Sequence, residues 1–118
     1  MYHFYWYPKC STCKKTKAWL EAHHIAYQAI DMITSPPTAE TIEEWLHESE
    51  VPIRRLFNTS GIKYRELGLK DQVNDFSIPK ASQILSSDGM LIKRPLIVKG
   101  KQLVAIGFNE KTYEGVLI

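Results

Sequence analysis

The chain has 118 residues, enough for one domain with a real core and too few for two. Apolar residues make up 44% and charged residues 24%, which excludes a disordered, fibrous or low-complexity protein. Net charge is +2, from 15 basic and 13 acidic residues, too little to point to direct binding of nucleic acid, and no apolar run nears the ~20 residues of a membrane span.

Tyr2 to Tyr7 is aromatic-rich and bounded by Pro8, so it reads as a buried strand. A helix is expected from about Cys10 to His23, with Ala18, Trp19, Leu20 and Ala22 on its apolar side. Tyr27 to Ile33 reads as a second strand. Pro36-Pro37-Thr38 then signals a turn, with Thr38 as N-cap and Glu40 in the first turn of a helix. Ile42, Trp45 and Leu46 fall at i, i+3, i+4 and carry that helix to about Ser49. Pro52 opens a short helix through Phe57, Asn58 to Gly61 is a loop, and Tyr64 to Leu67 is another short helix before Gly68. Ile78 to Leu85 looks helical and ends at Ser87-Asp88-Gly89. Pro95 to Val98, Lys99-Gly100 and Gln102 to Ile106 read as a hairpin, and Asn109 caps a last helix through Leu117.

The order is β-α-β, then helices, then β-β-α. It predicts an α/β protein with a mixed sheet: a thioredoxin-like core forming one domain over 1–118, with a helical insertion over about 36–88. Charge divides along the same lines. Residues 1–35 carry four lysines against two acids, 36–88 six basic against nine acidic residues, and 89–118 five against two. Both core pieces are therefore positive and the insertion is acidic, which favours anions at the core's face.

Two cysteines in 118 residues are no disulfide scaffold, and they sit together as Cys10-Ser11-Thr12-Cys13. Met1 to Tyr7 has neither a basic n-region nor a long apolar run, so no secretory signal and a reducing, cytoplasmic setting are expected. There such a pair points to redox chemistry or metal binding rather than to a static bridge. Structural zinc needs four ligands. No second cysteine pair exists, and the adjacent His23 and His24 point about 100° apart on a helix, so they read as solvated residues near its end. No metal is expected.

The thiolate is the reactive form, and two features should favour it at Cys10. The residue lies where a strand turns into a helix, whose free N–H groups face the sulfur. Lys9, Lys14, Lys15 and Lys17 surround it, with no acid before Glu21. Cys13 follows one turn later on the same face, placed to resolve a mixed disulfide at Cys10. The backbone around Ser11 and Thr12 offers N–H groups to an anion, with Lys14 beside them. In thioredoxin-like folds a proline, often cis, opens the strand that faces such a pair. Pro95 holds that position, and Arg94 before it would bring a guanidinium to the sulfur.

The chain resembles the arsenate reductase/Spx family of thioredoxin-like proteins over essentially its whole length. The resemblance rests on Pro8 to Lys15, Pro36-Pro37-Thr38, Phe57 to Gly61, Tyr64 to Leu67, Arg94 to Val98 and Gly107 to Glu110. It implies a thioredoxin-like fold with a helical insertion, a cis Pro95 and, in the reductase branch, a cysteine that attacks the oxyanion with three arginines assisting. Cys10 matches that nucleophile and Arg94 one arginine; the other two positions hold Asn58 and Gly107, and Cys13 stands where that branch has serine. The resemblance also implies an external reductant, glutathione with glutaredoxin or thioredoxin, and no bound cofactor. In the Spx branch the cysteine pair is a redox switch on a regulator that binds the C-terminal domain of the RNA polymerase α subunit. The glycine Spx uses there falls at Pro52, which has no backbone donor and a fixed φ. The leading expectation is a thiol-dependent, arsenate reductase-like oxidoreductase, and the alternative is an Spx-like regulator.

Overall fold

The computed structural model describes residues 1–118. In chain order the main elements are β1 (Tyr2–Trp6), α1 (Ser11–Ala22), β2 (Tyr27–Asp31), α2 (Ala39–Ser49), α3 (Ile62–Glu66), α4 (Ile78–Ser87), β3 (Leu96–Lys99), β4 (Gln102–Ile106) and α5 (Glu110–Leu117). The strands form one sheet in the order β2-β1-β3-β4. β1 runs parallel to β2, with Phe4 opposite Ala29, and antiparallel to β3, with Phe4 opposite Ile97. β3 and β4 form the hairpin, so the mixed sheet is the one expected.

Side-chain alternation along the strands sorts two cores onto the two faces. On one face Phe4, Ile97 and Ala105 meet Trp19 and Leu20 of α1 and Tyr113 of α5. On the other, Leu96, Val98 and Leu103 meet Ile42, Trp45 and Leu46 of α2 and Leu85 of α4. Tyr5 joins this second core, its ring edge-on to Trp45 at 5.1 Å. The ladder pairs Ile97 with Ala105 and then Val98 with Leu103, which leaves Val104 as an extra residue. The bulge turns two successive residues, Val104 and Ala105, toward the same core.

Element ends follow local hydrogen bonding. Thr38, Ser77 and Asn109 cap their helices by accepting from the N–H groups of Thr41, Lys80 and Thr112. β2 stops at Asp31, two residues sooner than the sequence suggested. There the Asp31 carboxylate accepts from the N–H groups of Ile33 and Thr34 at 2.9 and 3.3 Å and folds the chain into a turn. The segment opened by Pro52 is a single 3₁₀ turn, Ile53–Leu56. Further 3₁₀ turns at Leu69–Asp71, Val73–Asp75 and Gly89–Leu91 carry no periodic signal and went unforeseen.

The insertion is tied to the segment that leads into Arg94. The N–H of Asn58 bonds the Leu91 carbonyl and the N–H of Lys93 bonds the Leu56 carbonyl, both at 2.8 Å, around a bridge between Phe57 and Ile92. Gly89, just ahead of this seam, packs against the backbone that follows β2. A Cβ there would run into the Met32 carbonyl oxygen, a backbone atom that cannot yield. Gly89→Ala should therefore destabilise the protein by about 1–3 kcal/mol, read as a lower urea midpoint at unchanged slope. An unchanged midpoint would mean that Gly89 is not close-packed against the Met32 backbone.

Candidate active site

Cys10 occupies the N-cap of α1. Its backbone is extended (φ −87°, ψ 121°), and its sulfur accepts the Cys13 N–H at 3.4 Å, as a serine or aspartate oxygen would at an ordinary cap. The Ser11 and Thr12 N–H groups, at the open end of the helix, have no partner within the chain. Cys13 lies one turn on and is fully buried, its sulfur accepting the Tyr7 N–H at 3.5 Å. Both cysteines are free thiols.

The Arg94–Pro95 bond is cis, and Arg94 lies across the end of β1 with its guanidinium 5.4 Å from the centre of the Tyr7 ring. Its Nε and Nη1 are sealed from solvent and hydrogen-bond to nothing. Two desolvated donors without a partner are costly unless an anion meets them. The anion within reach is the Cys10 sulfur. Burial pushes the Cys10 thiol up, but the hydrogen bonds from Cys13 and the Arg94 charge outweigh burial, and the net shift is downward. Burial instead pushes the Cys13 thiol up to about 12, and the neighbouring Cys10 sulfur adds to the rise. The pair is split into one sulfur held toward the thiolate and one held as thiol.

The lysines near Cys10 in sequence are not what lowers its pKa. Lys9, Lys14 and Lys15 are exposed, and the cation acting on the sulfur is Arg94. The cleft over the sulfur, about 410 Å³, brings Cys10, Thr12 and Arg94 together. Of the other residues singled out from sequence, Ser11 and Lys14 stand exposed outside the cleft wall and Pro95 is buried beneath it. The far wall comes from the insertion and the segment just before Arg94: Asn58, Gly61, Lys63, Met90 and Lys93. Lys63 and Lys93 add positive charge, and no carboxylate lines the cleft. Sequence spacing could not find these two, because only the Leu56–Asn58 seam carries them to the sulfur. Gly107, with φ +75°, borders a second hollow along β4, and a Cβ there would lie 3.7 Å from the Lys93 side chain. No group of three or more His, Cys, Asp or Glu side chains is placed to hold a metal ion, and no helix is long and apolar enough to cross a membrane.

A thioredoxin-like sheet with a cysteine pair at the first strand–helix junction, a cis-proline opposite and a helical insertion defines the class. The ArsC family profile matches residues 5–116, and the chain belongs to the ArsC family. It is 45% identical over 111 residues to the uncharacterised YusI protein of Bacillus subtilis strain 168, spanning 94% of this chain and 93% of that one. It is 30% identical over 103 residues to the global transcriptional regulator Spx of Lactiplantibacillus plantarum, covering 87% of this chain and 76% of Spx. Among solved structures, that of a possible arsenate reductase from Streptococcus mutans UA159 superposes with a TM-score of 0.89 at 50% identity, covering 92% of each chain.

Two outcomes follow. Iodoacetamide should label Cys10 at neutral pH and spare Cys13, and Arg94→Met should slow that labelling several-fold by taking away the cation; equal rates in both proteins would remove Arg94 from the account. Burial raises Cys13 from 9.0 and Tyr113 from 10.0, each to about 12, so both groups stay protonated in the fold after the unfolded chain has ionised. Their stabilising contribution is whole below the unfolded values and is lost as pH rises through the folded ones. The reduced protein should therefore lose stability between about pH 9 and 12, and Cys13→Ala should lose less across that window. Parallel pH profiles for the two proteins would contradict this.

Proposed function

We propose that the chain is a cytoplasmic thiol-dependent oxidoreductase of the arsenate reductase type, with Cys10 as nucleophile and Cys13 as resolving thiol. The observation that carries this reading is the Cys10 sulfur, lowered toward the thiolate, in a cleft where Arg94 presents unpartnered buried donors. The same cleft supports an anionic substrate, with Arg94, Thr12 and the free N–H groups of Ser11 and Thr12 around it. Lys14 adds charge at longer range, and Pro95 holds Arg94 in place.

With a disulfide R–S–S–R′, the Cys10 thiolate attacks one sulfur, forms Cys10–S–S–R and expels R′–S⁻. The proton of Cys13 passes to a departing thiolate; the Cys13 sulfur then attacks Cys10, and R–S⁻ leaves. Two electrons have moved from the cysteine pair to the substrate, and the pair is left as an internal disulfide. An external thiol, glutathione with glutaredoxin or thioredoxin, returns those electrons. With arsenate as substrate, the Cys10 thiolate forms a sulfur–arsenic bond while an As–OH group takes up a proton from solvent and leaves as water. Cys13, giving its proton to an arsenic-bound oxygen, then attacks the Cys10 sulfur. The sulfur–arsenic bond breaks with its electron pair going to arsenic, which departs as arsenite. Asn58 in the cleft and Gly107 outside it supply no cation, so disulfide reduction should be faster than arsenate reduction.

The second reading is a redox-responsive regulator that binds the RNA polymerase α subunit. The 30% identity to Spx of Lactiplantibacillus plantarum supports it. Pro52, exposed and set at φ −59°, argues against the same backbone contact.

The deciding experiment runs turnover with a glutathionylated peptide and with arsenate, each coupled separately to glutaredoxin and to thioredoxin. Cys10→Ser should abolish turnover, and Cys13→Ser should trap a mixed disulfide visible as added mass. Normal turnover in Cys10→Ser would end the oxidoreductase reading. Capture of the α subunit in one redox state, with no turnover of either substrate, would establish the regulator instead.

A further inference from the structure

We propose that the open edge of β4 is a docking groove for an extended acidic segment of a partner protein, laid beside β4 as an added strand. β4 is the last strand of the four-stranded sheet, so one side of its backbone has no strand partner. A sheet edge is protected from pairing by charge, proline, a bulge or a covering segment; Gln102-Leu103-Val104-Ala105-Ile106 carries no charge and no proline, so only its bulge and a contact from Ser49 guard it. Ser49 Oγ takes the Leu103 N–H at 2.8 Å, the bulge at Val104 breaks the ladder there, and Ala105 pairs with Ile97 of β3, so the free edge begins at Ile106. Gly107 turns its N–H inward to the Pro95 carbonyl at 2.8 Å, so by strand alternation Ile106 presents its main-chain groups outward.

This edge opens onto a groove of about 420 Å³, with Val51 and Arg55 on one bank and Thr112 on the other. Arg55, Lys93 and Ile106 also line an adjoining hollow of about 330 Å³, which Arg54 enters. Arg54, Arg55 and Lys93 are exposed, no carboxylate lines either hollow, and the molecule's one ion pair, Lys17–Glu21, lies elsewhere. None of the three hollows touches β2, the opposite edge. The cations select the occupant. A second copy pairing through β4 would bring two sets of Arg55 and Lys93 together, whereas an acidic strand neutralises them. Main-chain bonds to the edge give affinity, alternate apolar side chains fill the groove, and the intervening carboxylates reach the three cations.

The probe is a fluorescein-labelled peptide of alternating glutamate and valine, titrated by anisotropy into the reduced full-length protein, with a lysine–valine peptide as control. The acidic peptide should bind and shift the backbone amide resonances of Ala105 to Phe108. Arg55→Glu, at an exposed position, should weaken that binding by about tenfold. Arg54→Glu, also exposed, should weaken it in the same direction and keeps the test alive if the first variant fails to fold. Equal binding of the control, shifts confined to other elements, no binding of either peptide, or sedimentation showing a dimer that shifts the same amides would each overturn the proposal.

Discussion

The structure depends on what happens between Tyr7 and Cys13. A strand ends, a helix begins, and the atom that caps the helix is a sulfur. Cys10 is bound to accept the Cys13 N–H because the first turn of a helix leaves its donors open, and an extended φ, ψ at the cap aims the side chain back at them. A sulfur in that position is more useful to the helix as an anion than as a neutral thiol. Ionisation of Cys10 and the start of α1 therefore favour each other, and neither needs a metal or a neighbouring base.

The rest of the fold brings one cation against that sulfur, sets two lysines in the cleft around it and places no carboxylate there. β3 returns antiparallel beside β1 with Leu96 opposite Tyr5, so Arg94, two residues before the strand, arrives at the end of β1. Arg94 comes with two donors already stripped of water and facing no carboxylate. Cys13 is fully buried, as is Tyr113, whose hydroxyl donates to the Gly107 carbonyl at 2.6 Å and whose ring packs on Trp19 of α1. Burial keeps the second sulfur protonated until chemistry at the first one calls on it. The two sulfurs thus differ by environment, not by residue type, and that difference gives the pair a direction.

Much of this was legible in the chain. The aromatic run of Tyr2 to Tyr7 before Pro8, the Thr38 and Asn109 caps and the Lys99-Gly100 turn located the first strand, two helices and the hairpin, because each is a local device. The cysteine pair at the head of α1 and Arg94 beside Pro95 were readable as residue types at telling places. The resemblance to a known family supplied the link between them across the fold. What stayed hidden was non-local. Lys63 and Lys93 reach the cleft through the Phe57–Ile92 bridge, and no spacing encodes a pairing between residues so far apart. The lysines flanking Cys10 suggested a local source of positive charge, yet helix geometry turns them to solvent and leaves the work to a distant arginine. The 3₁₀ turns of the insertion have no period to betray them.

The central claim is an order of ionisation: the capping sulfur gives up its proton first and the buried one last. The direct measurement is a pH titration of the two cysteine ¹³Cβ resonances in the reduced protein by nuclear magnetic resonance. The account predicts two separate transitions, with Cys10 moving below the ordinary thiol range and Cys13 still unmoved where free thiols have finished titrating. A single shared transition in the ordinary range, or Cys13 moving before Cys10, would contradict it.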